Sequence, residues 1–302
     1  MSPRWPAATA VLAFQDEQAP AQALATALRL PLRHIERHRF PDGELKLTLP
    51  TPLQSTVLLY RSLHQPNEKL VELLISGPAA RALGAERVLL VCPYLAYMRQ
   101  DIAFHPGEAV SQRHIASLLA SRFDGLVTVD PHLHRIASLD EVMPGCRAVS
   151  LSAAGLLGPW VCQHVAQPLL LGPDGEAEQW VREAASASGC EGAWCLKERH
   201  GDRDVTVRLP DGIDVHGRAV VLIDDMASTG RTLVAAARLA LAAGAASVDV
   251  AVTHGLFVGE AMAELAAAGV RHVWSSDCVP HASNAIPVAP LLAQGVEQVL
   301  AG

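Results

Sequence analysis

Short runs of consecutive aliphatic residues recur along the chain and are separated by longer segments. Residues 219–223 form an unbroken apolar run, and residues 8–14 and 56–60 are apolar apart from Thr9 and Thr56. These three segments predict strands that are buried on both faces. Longer segments such as 18–30 and 67–83 predict helices. Because strand, helix and strand alternate in both halves of the chain, we expect an α/β fold with a mostly parallel sheet in each half.

The repeated pattern predicts two domains of ordinary size. We expect an N-terminal domain over residues 1–147 and a C-terminal domain over residues 148–302. The helix predicted at 289–300 is a candidate to pack back on the N-terminal domain. Within the C-terminal domain, the pair Gly158-Pro159 is expected to interrupt a helix over residues 152–165.

The composition limits the classes of partner that the chain can have. Half of the 302 residues are hydrophobic and the net charge is -7, which argues against a general nucleic-acid binder. No Cys-x-x-Cys pair occurs among the six cysteines, so we expect buried free thiols in a reducing cytoplasm. No apolar run reaches the ~20 residues of a membrane span, so no membrane partner is expected.

The most informative stretch covers residues 220–233, Val-Val-Leu-Ile-Asp-Asp-Met-Ala-Ser-Thr-Gly-Arg-Thr-Leu. A predicted strand runs directly into Asp224 and Asp225, and a loop of small and hydroxylic residues then leads into a helix. Backbone N–H groups at a helix N-terminus suit a phosphate, and Gly230 lets it approach the backbone. The acids suit neighbouring hydroxyl groups of a sugar, directly or through Mg²⁺. The stretch is not a Walker A loop, because it contains no lysine.

A turn in the first half has two open interpretations. The run Phe40-Pro41-Asp42-Gly43-Glu44 contains a Pro-Asp-Gly turn signal and precedes alternating leucines, which is typical of a hairpin. An aromatic ring beside acceptors can also stack on a purine and accept a hydrogen bond from its amino group. The spacing alone favours a hairpin without a binding role.

Polar residues also follow other predicted strands. The donor-rich segment 93–101 follows a strand at 86–92, and open α/β sheets bind ligands at the carboxyl ends of such strands. His132 and His134 follow a strand at 125–129, where they could bind metal or act as structural caps. We favour function for His132 and a structural role for His134.

Two polar segments of the second half are further candidates. Asp174 lies in a turn directly after a strand at 168–171. The run 197–204, Lys-Glu-Arg-His-Gly-Asp-Arg-Asp, is either a solvated hairpin tip or a functional loop. Since Lys197 is one of only three lysines in the chain, we favour the functional loop.

Taken together and in this order, these motifs resemble the ribose-phosphate pyrophosphokinase family, also called phosphoribosyl pyrophosphate synthetases. The resemblance covers nearly the whole chain and implies two tandem phosphoribosyltransferase-like domains. It also implies that ATP and ribose 5-phosphate react, with Mg²⁺, to give phosphoribosyl pyrophosphate and AMP. The resemblance assigns ATP contacts to Phe40, Asp42, Glu44, Arg99, Gln100, Asp101 and His105; ribose 5-phosphate contacts to Asp224, Asp225, Ala227, Ser228, Thr229, Gly230, Arg231 and Thr232; catalytic roles to Lys197, Arg199 and His132; and metal contacts to His132 and Asp174.

Departures from the family pattern bear on assembly. The well-studied bacterial members carry a basic stretch where this chain has residues 102–108, Ile-Ala-Phe-His-Pro-Gly-Glu. That difference argues against their hexamer and their regulation by phosphate and ADP, and favours an archaeal-like homodimer or tetramer with the adenine near a subunit interface. Two alternatives remain open, a phosphoribosyltransferase and a non-catalytic regulatory homologue of the synthetases.

Overall fold

The structure is a computed structural model that describes residues 9–199 and 205–301. For residues 197–199 and 205–207 it describes the backbone alone. Among the described residues, no helix is long and apolar enough to cross a membrane. The chain divides into two compact units, each described below by itself.

The first unit is built on a seven-stranded sheet in which every neighbouring pair except the β2–β3 pair is parallel. The strand order is β3-β2-β1-β4-β5-β6-β7. Its elements up to residue 151 are β1 (Thr9–Phe14), α1 (Gln18–Leu28), β2 (Leu32–Arg39), β3 (Leu45–Thr48), β4 (Thr56–Tyr60), α2 (Pro66–Ala82), β5 (Arg87–Val91), α3 (Ser111–Ala120), β6 (Gly125–Val129) and β7 (Arg147–Leu151).

The second unit contains a six-stranded parallel sheet and a separate antiparallel hairpin, β10–β11. The strand order of the sheet is β15-β14-β13-β12-β8-β9. Its elements are α4 (Ala154–His164), β8 (Leu169–Gly172), α5 (Glu178–Ser188), β9 (Glu191–Trp194), β10 (Leu196–Arg199), β11 (Val205–Arg208), β12 (Ala219–Ala227), α6 (Arg231–Ala242), β13 (Ser247–Gly255), α7 (Ala261–Ala267), β14 (Val270–Ser276) and β15 (Asn284–Ile286). The prediction of an α/β fold with two mostly parallel sheets is confirmed.

The last helix, α8 (Ala289–Leu300), belongs to the first unit. A Cβ atom at Gly295 would lie 2.6 Å from Val127 Cγ1 and 2.7 Å from Leu151 Cδ1, so a side chain there would prevent this close approach of α8 to β6 and β7. The first unit extends to residue 151 rather than to the expected 147, because β7 pairs with β6 as the seventh strand.

Alternate residues of β12 face two apolar layers of the second unit. Val220 and Leu222 pack in the layer that contains residues of α6 and α7. Val221 and Ile223 pack in the layer that contains residues of α4 and α5. This alternation follows from the two-residue period of a strand, and full burial of each such side chain stabilises the fold by about 1.5–3 kcal/mol.

One local prediction, the break in α4, is wrong. Helix α4 continues through Gly158 and Pro159 instead of being interrupted. A Cβ atom at Gly158 would lie 2.1 Å from the Ala184 carbonyl oxygen, so this glycine serves the close contact between α4 and α5. Four cysteines are free and buried as expected, and the side chains of Cys162 and Cys190 meet where α4 ends and β9 begins.

Candidate active site

The predicted phosphate loop lies between β12 and α6, and its two acids belong to the strand. Asp224 pairs in register with Val252 of β13, so β12 continues through both acids to Ala227. The helix begins at Arg231 rather than at 232. The pairing with β13 therefore extends the strand four residues beyond the predicted end at Ile223, which fixes the backbone on which the acids are mounted.

Hydrogen bonds hold the loop against the segment that follows β13. The Ala227 carbonyl accepts from the Leu256 and Phe257 N–H groups, both at 3.0 Å, and the Ser228 carbonyl accepts from the Val258 N–H at 3.0 Å. Gly230 precedes α6 with a φ of +73°, a left-handed conformation that glycine adopts without strain. Within the described residues, no side chain caps the first turn of α6, so its backbone amides suit an anion.

Three carboxyl groups interact at the carboxyl ends of β8 and β12. The pKa of Asp224 is raised well above its usual range, first by burial and then by the charges of Asp225 and Asp174. Asp225 is buried, and its backbone N–H donates to Asp224 Oδ1 at 3.0 Å. Asp174 is also buried, and its side chain accepts from the Glu176 N–H at 2.9 Å. This concentration of negative charge suits hydroxyl donors or a cation.

The residues predicted to contact adenine lie in the exposed turn between β2 and β3. The Phe40 N–H donates to the Glu44 carbonyl at 2.8 Å, and the Glu44 N–H donates to Asp42 Oδ1 at 3.2 Å. The Phe40 ring is 40 % exposed and meets His38 edge to face at 4.9 Å. The hairpin prediction is confirmed, and the exposed ring has an open surface on which a base could stack.

Residues 92–110, between β5 and α3, form a loop that is held by internal hydrogen bonds and is called the braced loop below. Gln100 Nε2 donates to the Ile102 carbonyl at 2.9 Å, and the Phe104 N–H donates to Glu108 Oε2 at 2.8 Å. Asp101 is buried, whereas Arg99 and His105 are exposed. The first unit therefore brings the predicted Arg99, Gln100, Asp101 and His105 together in one loop.

His132 lies after β6 and is half-buried. Its Nε2 atom is hydrogen-bonded to Nε2 of His134, and the two rings meet edge to face with centroids 4.0 Å apart. The sequence favoured a functional role for His132 and a structural role for His134, but in the structure the two side chains contact each other. Among the described residues, no group of three or more His, Cys, Asp or Glu side chains is arranged to hold a metal ion.

The charged run at 197–204 lies partly outside the described residues. Lys197 and Arg199 belong to β10, with backbones paired to Val207 and Val205 of β11. Their side chains and residues 200–204 lie outside the described part of the chain. The choice between a solvated tip and a functional loop stays a prediction.

A buried cluster of charges in the first unit was missed at the sequence level. Arg61 is 1 % exposed, and its Nη1 atom lies 3.0 Å from Asp16 Oδ2 and 3.1 Å from Glu17 Oε2. Its Nη2 atom pairs with Glu72, and Lys69 Nζ lies 3.3 Å from Glu17 Oε1. Asp16 and Arg61 follow β1 and β4 closely, so the signal was available in the sequence as charges after predicted parallel strands.

Comparison with known proteins connects both units to one family. The model of the N-terminal domain of ribose phosphate pyrophosphokinase matches residues 9–122, and the phosphoribosyl transferase domain model matches residues 162–292. Ribose-phosphate pyrophosphokinase of Methanopyrus kandleri is 37 % identical over 292 residues, covering 96 % of this chain and 99 % of the relative. That of Methanothermobacter thermautotrophicus is 33 % identical, covering 94 % and 98 %. The crystal structure of phosphoribosylpyrophosphate synthetase from Mycobacterium smegmatis superposes with a TM-score of 0.82 at 26 % identity, covering 97 % and 98 % of the two chains.

Proposed function

The chain belongs to the ribose-phosphate pyrophosphokinase family and is an enzyme of that family, and we propose that its first unit binds ATP while its second unit binds ribose 5-phosphate. The reaction transfers the pyrophosphoryl group of ATP to the 1-hydroxyl of ribose 5-phosphate, which gives phosphoribosyl pyrophosphate and AMP. The observation that carries the assignment of the sugar is the Asp224-Asp225 pair directly before the uncapped N-terminus of α6.

Ribose 5-phosphate meets two kinds of group on the second unit. Asp224 and Asp225 accept hydrogen bonds from neighbouring ribose hydroxyls, and these donors favour the ionised form of Asp224, which burial and then the charges of Asp225 and Asp174 disfavour. The 5-phosphate accepts from backbone amides of the loop and of the first turn of α6. The family pattern assigns these phosphate contacts to Ala227, Ser228, Thr229, Gly230, Arg231 and Thr232.

ATP meets the loops of the first unit. Phe40 stacks on the adenine, while Asp42 and Glu44 accept from its amino group. Arg99 and His105 are exposed residues of the braced loop, and the Arg99 cation is suited to the phosphates. Gln100 and Asp101 complete this set, and the buried Asp101 supplies a carboxylate whose Oδ2 atom has no hydrogen-bond donor among the described residues.

The transfer is a substitution at the β-phosphorus of ATP. A bond forms from the ribose 1-oxygen to this phosphorus, and the bond from the phosphorus to the oxygen bridging to the α-phosphorus breaks. AMP leaves with that oxygen, and the hydroxyl proton is released to water. Lys197, Arg199 and His132 are the proposed catalytic residues, because phosphoryl transfer depends on in-line positioning and on neutralising charge.

Mg²⁺ is the proposed cofactor, and it would be held by oxygen atoms of the protein and of the substrates. Asp174, Asp224 and Asp225 supply carboxylate oxygens, which Mg²⁺ prefers, but they do not form a three-ligand site by themselves, so substrate oxygens and water would complete the coordination. Asp174 is a stronger candidate ligand than His132, since Mg²⁺ prefers oxygen to nitrogen. When bound, the cation offsets charge on the phosphate oxygens.

The proposed working form is a cytoplasmic homo-oligomer. Val71 and Ile75 of α2 are 44 % and 37 % exposed, and Leu83 beyond the helix is 45 % exposed. Exposed apolar side chains that lie near one another are typical of surfaces that bind proteins, which supports self-association. Light scattering after size-exclusion chromatography would give the molar mass in solution.

The test is release of AMP from ATP with and without ribose 5-phosphate, together with detection of phosphoribosyl pyrophosphate. We expect equal amounts of both products, and only when both substrates are present. A phosphoribosyltransferase would instead consume phosphoribosyl pyrophosphate when a base is added. A non-catalytic homologue would give no product under either condition.

A further inference from the structure

An arginine outside every sequence motif holds the buried acid of the braced loop. Arg135 Nη1 lies 2.6 Å from Asp101 Oδ1. The Asp101 side chain is 1 % exposed, whereas the Arg135 side chain is 49 % exposed. A cation that reaches in from the surface thus meets a carboxylate that is almost removed from water.

Arg135 also contacts a second residue of the same loop. Its guanidinium carbon lies 5.8 Å from the centroid of the Phe104 ring, within the range of a cation–π contact. The loop has its own braces, because the Gln112 N–H donates to the Gln100 carbonyl at 3.2 Å and Gln112 Nε2 donates to the Met98 carbonyl at 3.3 Å. The backbone near Asp101 is therefore held independently, and Arg135 acts on the side chains.

The two oxygens of Asp101 are not equivalent. Oδ1 accepts from Arg135, whereas Oδ2 is buried and meets no hydrogen-bond donor of the described chain. A buried acceptor without a donor is costly, so its persistence at a predicted ligand loop indicates that a bound molecule supplies the donor.

We propose that Arg135 is a positioning residue for ATP, which holds the Asp101 carboxylate through its Oδ1 atom and directs Oδ2 toward a donor on the nucleoside end of the nucleotide. The inference rests on the proposed function. A carboxylate acceptor needs a hydrogen-bond donor, and fully ionised ATP carries donors on its amino group and ribose hydroxyls but none on its phosphates. Asp101 thus accepts a hydrogen bond from the nucleoside part of ATP.

Removal of Arg135 would leave Asp101 as a buried charge without its cation. Such a carboxylate is driven to turn toward water, and this turn removes the oriented acceptor. Since half of the Arg135 side chain is exposed, the loss of ATP affinity is smaller than the loss expected from breaking a fully buried ion pair. The effect falls on ATP, because the ribose 5-phosphate residues belong to the second unit.

The experiment compares steady-state kinetics of Arg135→Gln, Arg135→Lys and Arg113→Gln. Arg113 is an exposed arginine on α3 that serves as the matched control. We expect Arg135→Gln to raise the KM for ATP by at least about tenfold while the KM for ribose 5-phosphate changes less than about twofold. Arg135→Lys should recover part of the loss, because an ammonium keeps the charge but not the planar fork. Arg113→Gln should match the wild type.

A double-variant cycle with Asp101→Asn separates positioning from a purely structural role. If Arg135 acts through Asp101, Arg135→Gln should change the KM for ATP less than about twofold in the Asp101→Asn background. Equal effects of Arg135→Gln in both backgrounds would overturn the proposal, as would equal increases in both KM values. If Arg135→Gln does not fold, Arg135→Lys is taken through the same cycle. A wild-type enzyme without AMP release would contradict the proposed function instead, so the two failures are distinguishable.

Discussion

The ligand role proposed for Asp224 requires an ionised carboxylate, whereas the folded chain disfavours that form. Burial and the neighbouring Asp225 and Asp174 raise its pKa, which means that its ionised form is disfavoured in the folded chain. The same position suits a sugar diol or a cation, which would favour the ionised form. Residues that bind ligands often lower stability in this way, because their charges are arranged for the ligand.

The pKa of Asp224 leads to a pH-dependent prediction. Between the usual value of 3.8 and its raised value, the folded chain holds more protons than the unfolded chain, so the free energy of unfolding falls as pH rises through this window. Asp224→Asn should therefore raise the melting temperature of the ligand-free enzyme at neutral pH, and the gain should vanish below about pH 4. Thermal melts over this pH range measure it, with the exposed Asp140→Asn as control. A variant that melts below the wild type at pH 7 would contradict the account.

The role proposed for Lys197 is confined to the chemical step of the reaction. Lys197→Ala should lower kcat by about 10²–10³-fold with small changes in both KM values, because the charge that it neutralises grows in the transition state. Arg199→Ala should lower kcat to a similar extent. If both residues act on one charge centre, the increase in activation free energy in the double variant should be smaller than the sum of the two single increases. Retention of more than about a tenth of the wild-type kcat, a loss of under ~1.4 kcal/mol, would favour the solvated tip.

At the scale of elements, the predicted order of strand, loop and helix around Asp224 is correct, but the predicted end of the strand is not. The apolar run ended the predicted strand at Ile223, but pairing with β13 carries β12 to Ala227. Local polarity could not reveal this, because the continuation depends on a strand that lies more than twenty residues further along the chain. In α4, Gly158 and Pro159 indicated a break, whereas a close contact with Ala184 accounts for the glycine.

The glycine before α6 gives a prediction with an internal control. Gly230 and Gly189 have φ values of +73° and +71°, so alanine at either position should cost about 1–2 kcal/mol of stability. Gly230→Ala should also raise the KM for ribose 5-phosphate, because the loop must shift to relieve the strain. Gly189→Ala, at the end of α5, should leave that KM unchanged. Chemical denaturation and steady-state kinetics measure both effects, and equal KM values in the two variants would argue against a phosphate role for this loop.

At the scale of the whole molecule, both units use the same strand order around their ligand loops. The order β2-β1-β4-β5-β6-β7 in the first unit matches β9-β8-β12-β13-β14-β15 in the second. Asp16 follows the last residue of β1 by two positions, and Asp174 follows the last residue of β8 by two. After β4, however, the first unit has Arg61 enclosed by Glu17 and Glu72 instead of an acid pair. Internal ion pairs therefore lie at the position that corresponds to the proposed sugar site of the second unit.

The sequence predicted the fold class and most motif-bearing loops because these depend on local patterns. The turn at Phe40 and the loop at Gly230 are signalled by neighbouring residues. The ion pair of Asp101 with Arg135 was missed, because it joins residues 34 positions apart in the chain without a pattern that connects them. The shared strand order agrees with the two tandem phosphoribosyltransferase-like domains that the family resemblance implied.

The central claim is that the two units divide the substrates, and crossed calorimetric titrations test it most directly. Ribose 5-phosphate and a non-hydrolysable ATP analogue are titrated into two variants, with Met262→Ala, at an exposed apolar residue of α7, as control for Phe40→Ala. The variant Asp224→Asn/Asp225→Asn should lose at least about tenfold in affinity for ribose 5-phosphate and keep that for the nucleotide within about twofold. Phe40→Ala should show the reverse, with a loss of about tenfold for the nucleotide from lost stacking. If each variant weakened both ligands equally, the division of substrates between the units would be contradicted.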